Sequence, residues 1–308
     1  MMFWHSGLLI QSCLCLLAGA TYIQPFEEDF AARNFRTVQS IYNLTVFPNN
    51  VPILAKGGAG VPPGLFNANA TGRISPVGNF SGFEDSIEYF FGLAPTPQTN
   101  QIDLGLFEAD VVAFTSGCAE VAASVVYLKG GAVNNETGGL IEGSPVTTLK
   151  QVAFWKFDED GLVLQYDAWI PNLQLWTNVA NGIDFANRTV QQGTVAQALC
   201  PNIQKMCTGK DQQYQNVEDC TAQLMAKKFG TFDEAWGDNV VCRQIHVLLT
   251  GIRPDIHCPH VGPTGGGKCV DIDYRQEYFD DDALFGFPEP FMCPQKVDKT
   301  QGCIGIVI

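Results

Sequence analysis

The chain has 308 residues, 46% of them hydrophobic, enough to bury a large core and hold one or two domains. Its net charge of −14 repels phosphate backbones and argues against nucleic acid as a partner. Eleven cysteines, eight of them after residue 199, point away from a reducing cytosol and toward a disulfide framework.

The first residues, MMFWHSGLLIQSCLCLLAGATYIQP, form an apolar run ending in Ala18-Gly19-Ala20, the pattern of a secretory signal peptide over residues 1–20. The run falls short of the roughly 20 residues a membrane span needs, so no span is expected after cleavage. Sequons stand at Asn43, Asn69, Asn79, Asn135 and Asn187. Beside a signal peptide they predict a secreted, extracellular glycoprotein with each of these asparagines at the surface.

In the body, Phe30, Phe35, Val38 and Ile41 recur at helical spacing over residues 26–43. Residues 48–82 are rich in Gly, Pro and Asn and are expected to be a long loop inserted in the domain, a lid or a glycosylated wrap. FEDSIEYFFGLAP (83–95) predicts a short helix stopped by Gly92 and Pro95. From residue 104 the pattern changes to Val-, Thr- and aromatic-rich segments, which predict successive antiparallel strands through LVLQYDAWIPNLQLW. The apolar stretch from Val111 to Val133 belongs to this set, because Glu120, Lys129 and a turn interrupt it. Asp160-Gly161 supplies the clearest hairpin turn.

The tail holds Cys200, Cys207, Cys220, Cys242, Cys258, Cys269, Cys293 and Cys303, expected to pair as four disulfides, leaving Cys118 as a buried free thiol. Helices are expected over 217–230 and over 231–253, the second capped by Thr231, with a loop-like remainder from Asp255 onward. The domain division is then a signal peptide at 1–20, an α+β domain at 21–190 and a cysteine-rich module at 191–308. Gly262 to Cys269 reads GPTGGGKC, one residue short of a phosphate-binding loop, which needs Ser or Thr at the last position. The glycines are better suited to a tight turn between two half-cystines. His246, His257 and His260 are the only histidines after the signal segment. Three imidazoles can bind zinc or copper, with Asp255 or Asp271 as a fourth ligand; the alternative is three hydrogen-bonded histidines in a small stapled core. No other cofactor is expected.

Helices followed by a meander ending in FWKFDEDGLVLQYDAWIP resemble the SnoaL-like branch of the nuclear-transport-factor-like superfamily, over residues 26–185. With its cysteine-rich tail, the chain also resembles secreted fungal proteins. The resemblance implies an α+β fold: a cone-shaped, curved antiparallel sheet over helices, with a pocket at the open end, followed by a disulfide-rich, partly helical C-terminal module. In the superfamily's enzymes one carboxylate or histidine moves a proton and a hydrogen-bond donor steadies an oxyanion. Carried onto this chain, that logic makes Asp167 the candidate base. Asp110, with Glu108 nearby, is a second carboxylate, Tyr127 a donor, and Trp169, Trp155 and Tyr89 pocket walls. Alternation puts Val163, Gln165, Asp167 and Trp169 on one face of the last strand, and the opposite face is more apolar. Asp167 therefore has an alternative place on a solvent or partner face. The body contains no histidine, so a His/Asp mechanism does not transfer. Three functions stand side by side: binding of an apolar small molecule, isomerase, dehydratase or cyclase chemistry, and an extracellular interaction role.

Overall fold

A computed structural model describes residues 29–97 and 103–294; the signal segment and Cys303 lie outside the described residues. Helix α1 (Phe30–Thr45) starts at Asp29, whose carboxylate accepts hydrogen bonds from the backbone N–H groups of Ala31 and Ala32. Its buried stripe includes Val38, Ile41 and Tyr42, spaced three to four residues apart as an amphipathic helix requires. Helix α2 (Val51–Lys56) follows.

The Gly/Pro/Asn-rich stretch is not a loop. It forms strands β1 (Phe66–Ser75) and β2 (Gly78–Ser81), an edge pair joined by a turn at Pro76-Val77. Its small residues have a packing reason. Gly72 lies against the face of Tyr166, and a Cβ there would fall 2.2 Å from the ring, so only glycine lets β1 approach. Helix α3 (Phe83–Ile87) runs on as a wider turn to Gly92.

The expected meander is present as β3 (Leu104–Cys118), β4 (Val121–Ala132), β5 (Thr147–Phe157) and β6 (Val163–Trp169). Gly161 takes φ +81° in the β5–β6 turn, where the Asp158 carboxylate accepts from the N–H groups of Asp160 and Leu162. The strands form one curved, unclosed sheet in the order β2-β1-β6-β5-β4-β3, antiparallel except that β1 runs parallel to β6. Strand β6 ends at Trp169 rather than running on. Pro171 and Asn172, the latter at φ +56°, turn the chain into helix α4 (Leu173–Asn181), so the last part of the expected strand is helical. On the sheet's inner face Trp155, Tyr166, Tyr42 and Phe90 make one aromatic cluster with ring centroids 5.1–6.5 Å apart.

The cysteine-rich part is mostly helical: α5 (Arg188–Gly193), α6 (Cys200–Met206), α7 (Val217–Met225), α8 (Val240–Leu249), α9 (Pro254–Val261) and α10 (Asp281–Phe285). Asn239, not Thr231, caps α8, and the segment expected to be loop from Asp255 begins instead inside α9. Disulfides Cys200–Cys220 and Cys207–Cys258 staple a second apolar core around Val195, Leu199, Ile203 and Leu224, and Cys242–Cys269 ties α8 to the chain after α9. Cys118 is neither buried nor free. It pairs with Cys293, because the chain after α10 runs back along the sheet's outer face. There Phe291 meets Phe154, the Lys156 ammonium sits 4.2 Å from the Phe287 ring centroid, and the Gln165 amide donates to the Phe285 carbonyl at 3.0 Å. This strap covers part of the face the alternation pattern left polar. No helix among the described residues is long and apolar enough to cross a membrane.

Candidate functional site

A cavity of about 470 Å³ opens between the sheet's inner face and the helices, within the usual range for small-molecule sites. Leu106, Leu128 and Leu149 form its floor from three neighbouring strands, because inward positions repeat every second residue. Phe90, Leu173 and Ile245 close its sides from the helices, and Leu248, half exposed, stands at the wall's outer limit. No Asp, Glu, His, Lys or Arg among the described residues lines it.

Its polar groups are few and mostly committed. Thr45 and Thr177 donate their hydroxyl hydrogens to Ile41 and Leu173 carbonyls of their own helices. The buried Gln151 amide donates to the Tyr89 hydroxyl at 3.1 Å. That bond occupies an oxygen lone pair and leaves the Tyr89 O–H proton free to point elsewhere. Burial pushes the Tyr89 phenol well above its ordinary range, so the group stays a neutral donor. Trp176 also lines the cavity, and its Nε1–H is buried without a protein partner. The chamber is apolar and uncharged, with the Tyr89 O–H as its uncommitted donor.

Of the residues singled out from sequence, Tyr89 lines this cavity. Trp155 lies beneath it, fully buried in the aromatic cluster with its Nε1 donating to Ser124 Oγ at 2.9 Å. The remaining candidates stand on the opposite face of the sheet. Asp167 forms an ion pair with the guanidinium of Arg73, which also reaches Asp281 of the strap at 2.9 Å. Burial raises the Asp167 carboxyl and outweighs the opposing pull of Arg73. Trp169 is 57% exposed. Tyr127 is partly exposed, and Asp110 and Glu108 share the ammonium of Lys129 at 2.9 and 2.7 Å. Gln151, Trp176 and the α8 side chains carry no motif. The one available signal was position: Gln151 alternates in phase with Leu149 and Ala153 on an apolar strand face.

The glycine loop is also accounted for. Gly265, Gly266 and Gly267 all take positive φ and fold the chain around the buried Arg243, which donates to the carbonyls of Gly262 and Pro263. The Lys268 ammonium donates to the Asn79 carbonyl, so the loop's cation is already used inside the protein. Asn43, Asn69, Asn135 and Asn187 are exposed as sequons require. Asn79 departs from the expectation: it is half buried beneath Lys268, with its Oδ1 enclosed.

His246 on α8 and His257 and His260 on α9 come together, although they are far apart in the chain from the residues that support them. All three are buried, with ring centroids 4.8–5.9 Å apart. Asp255 and Asp271, expected as a fourth ligand, do not belong to the group of potential ligand atoms. The neighbouring sulfurs of Cys242, Cys258 and Cys269 are all in disulfides.

Fold and site together define an α+β protein with a helix-backed apolar chamber. A family model described as the BfoA family C-terminal domain matches residues 168–272. The chain is 30% identical over 271 residues to the aurasperone B biosynthesis cluster protein A of Aspergillus niger, covering 82% of this chain and 86% of that protein. It is equally identical to the bifonsecin B biosynthesis cluster protein A of Aspergillus brasiliensis, over 82% of this chain and 88% of that one. The chain belongs to the BfoA family, together with these fungal biosynthesis-cluster proteins. Among solved structures it is similar to a Jannaschia sp. CCS1 protein assigned to the SnoaL-like polyketide cyclases, at 12% identity and a TM-score of 0.33, over 51% of this chain and 98% of that one.

Proposed function

We propose that this protein binds a small, largely apolar molecule in the inner-face cavity, outside the cytosol. The observation that carries the reading is the cavity's lining: about 470 Å³ of apolar wall with the Tyr89 hydroxyl as an uncommitted donor, and no ionisable acid–base pair among the described residues. Such a chamber selects a hydrophobic body bearing hydrogen-bond acceptors, such as carbonyl or phenolic oxygens. The kinship with biosynthesis-cluster proteins supports a product or intermediate of such a cluster as the ligand class. The four disulfides support export, since such links persist in oxidising compartments. Glycans at the exposed sequons belong to the same reading. Isomerase or cyclase chemistry would need a proton-moving group inside the chamber, and Asp167 sits across the sheet from it.

The test is an untargeted mass-spectrometric search for molecules that co-purify with the exported chain, followed by direct binding of any compound found. Binding weakened at least tenfold by Leu149→Trp, which fills the floor, supports the proposal. Unchanged binding in that variant, or turnover of the compound, overturns it.

A further inference from the structure

The histidine cluster behind the cavity wall has a composition that hydrogen bonding does not explain. Helix α9 carries His257 and His260 three residues apart, hence on one face, and α8 packs His246 against them. The Nδ1 atoms of all three rings are buried and have no hydrogen-bond partner. One such atom is a costly irregularity in a core; three in one cluster call for a partner. Each residue can offer one ligand nitrogen such that all three lie within 4.8 Å of one another.

The surroundings prepare the rings for a cation. Glu88 is 3% exposed and its Oε2 lies 2.9 Å from His257 Nε2. A carboxylate held by Arg253 accepts, so His257 Nε2 is the donor of this pair and Nδ1 is the ring nitrogen left without a partner. This carboxylate–histidine arrangement is what orients ligand imidazoles in metal proteins. Arg253, at the start of α9, grips Glu88 through two nitrogens and reaches Asp85 at 2.6 Å, which fixes the carboxylate in turn. Disulfides at Cys242, one turn before His246, and at Cys258, beside His257, hold the two helices in place.

We propose that His246, His257 and His260 bind a single zinc or copper ion, with Glu88 orienting His257 from behind. An all-imidazole set suits these metals and offers no oxygen donors for calcium or magnesium. Three protein ligands leave one coordination position for water or another small donor. The residues from Glu88 to Gly92 separate the cluster from the cavity, since Glu88 faces the histidines while Tyr89 and Phe90 line the chamber. Metal occupancy therefore stiffens the wall of the binding site without entering it.

The experiment uses the full disulfide-bonded chain, without a polyhistidine tag, stripped with chelator and dialysed. Zn²⁺ and Cu²⁺ are each titrated by calorimetry, and bound metal is counted by atomic emission. The expected result is one equivalent of at least one ion per chain, abolished in His260→Ala and weakened ten- to a hundredfold in Glu88→Gln. Wild-type protein taking up less than a tenth of an equivalent of both ions overturns the proposal, whatever the variants do. So does unchanged uptake by a His260→Ala variant whose circular dichroism and disulfide map match wild type. Because the readout is metal and not the cavity ligand, it stands or falls separately from the binding reading.

Discussion

Replacing Tyr89 with Phe removes one oxygen from the cavity wall and exposes how the chamber's polarity is held. The Gln151 amide, 4% exposed, loses the acceptor it reaches at 3.1 Å and becomes a buried donor without a partner. That condition costs about 1–3 kcal/mol. Gln151→Leu does the converse: it leaves the Tyr89 oxygen, on a side chain 6% exposed, without its donor, at a cost of about 1–3 kcal/mol. Removing both partners leaves an apolar contact of similar shape, which is close to neutral. The two single losses should therefore exceed the double loss by at least about 1 kcal/mol, beyond the ~0.5 kcal/mol within which independent sites add. Urea unfolding of the disulfide-intact protein reads this directly. With a slope of about 2–3 kcal/mol/M, a 1.5 kcal/mol loss lowers the midpoint by about 0.5–0.8 M. Simple additivity of the two singles would refute the claim that Gln151 holds Tyr89 as a donor toward the cavity. The same Tyr89→Phe variant should bind an acceptor-bearing ligand about five- to tenfold more weakly, one hydrogen bond's worth.

Asp167→Asn should leave ligand binding within twofold of wild type, because Asp167 sits across the sheet, while limited proteolysis should cut the strap after Cys269 more readily. Removing the Cys118–Cys293 link with paired serines opens a 175-residue loop, worth about 5 kcal/mol by chain entropy. Because this link joins the strap to β3, the loss should appear first as strap release in hydrogen exchange, with the sheet still protected. For metal-free protein, His246 and His260 have folded values depressed below the unfolded value of about 6.5. Their contribution to stability is complete above that pH and is lost as pH falls toward about 4, where His260 titrates in the fold. Chemical denaturation at pH 7.5, 6 and 5 should show the decline, and a flat profile would contradict the burial of His246 and His260 in their neutral form.

The meander was legible because β3 to β6 pair with their sequence neighbours, so local alternation and the Asp158–Gly161 turn suffice to define them. Strands β1 and β2 escaped notice because their Gly and Asn residues look like loop. Gly72 is there for Tyr166, a residue 94 positions away whose nearness no local pattern reveals. Alternation correctly separated Gln165, Asp167 and Trp169 from Tyr166 and Ala168, but a register shift at Leu164 turns Val163 into the inner core, and the pattern could not say which face has a cavity: Asp167 looks like a base on a strand end, and its partners Arg73 and Asp281 come from both ends of the chain. Helix α9 was hidden by Pro254 and Pro259. The first sits at a helix start, where its missing N–H is no loss, and the second is accommodated within two turns.

Composition and short-range periodicity thus determined the class of the molecule: a sheet of alternating strands, helices around it, and sulfur links concentrated in the tail. These are properties of neighbours in the chain, and neighbours are what a sequence records. Which cysteine meets which, that Cys118 has a partner at all, that Tyr89 keeps a free donor in the chamber, and that three histidines converge behind Glu88 were decided only by the tertiary structure. Each of those facts depends on side chains brought together by burial of apolar surface, a collective effect with no trace in any single segment.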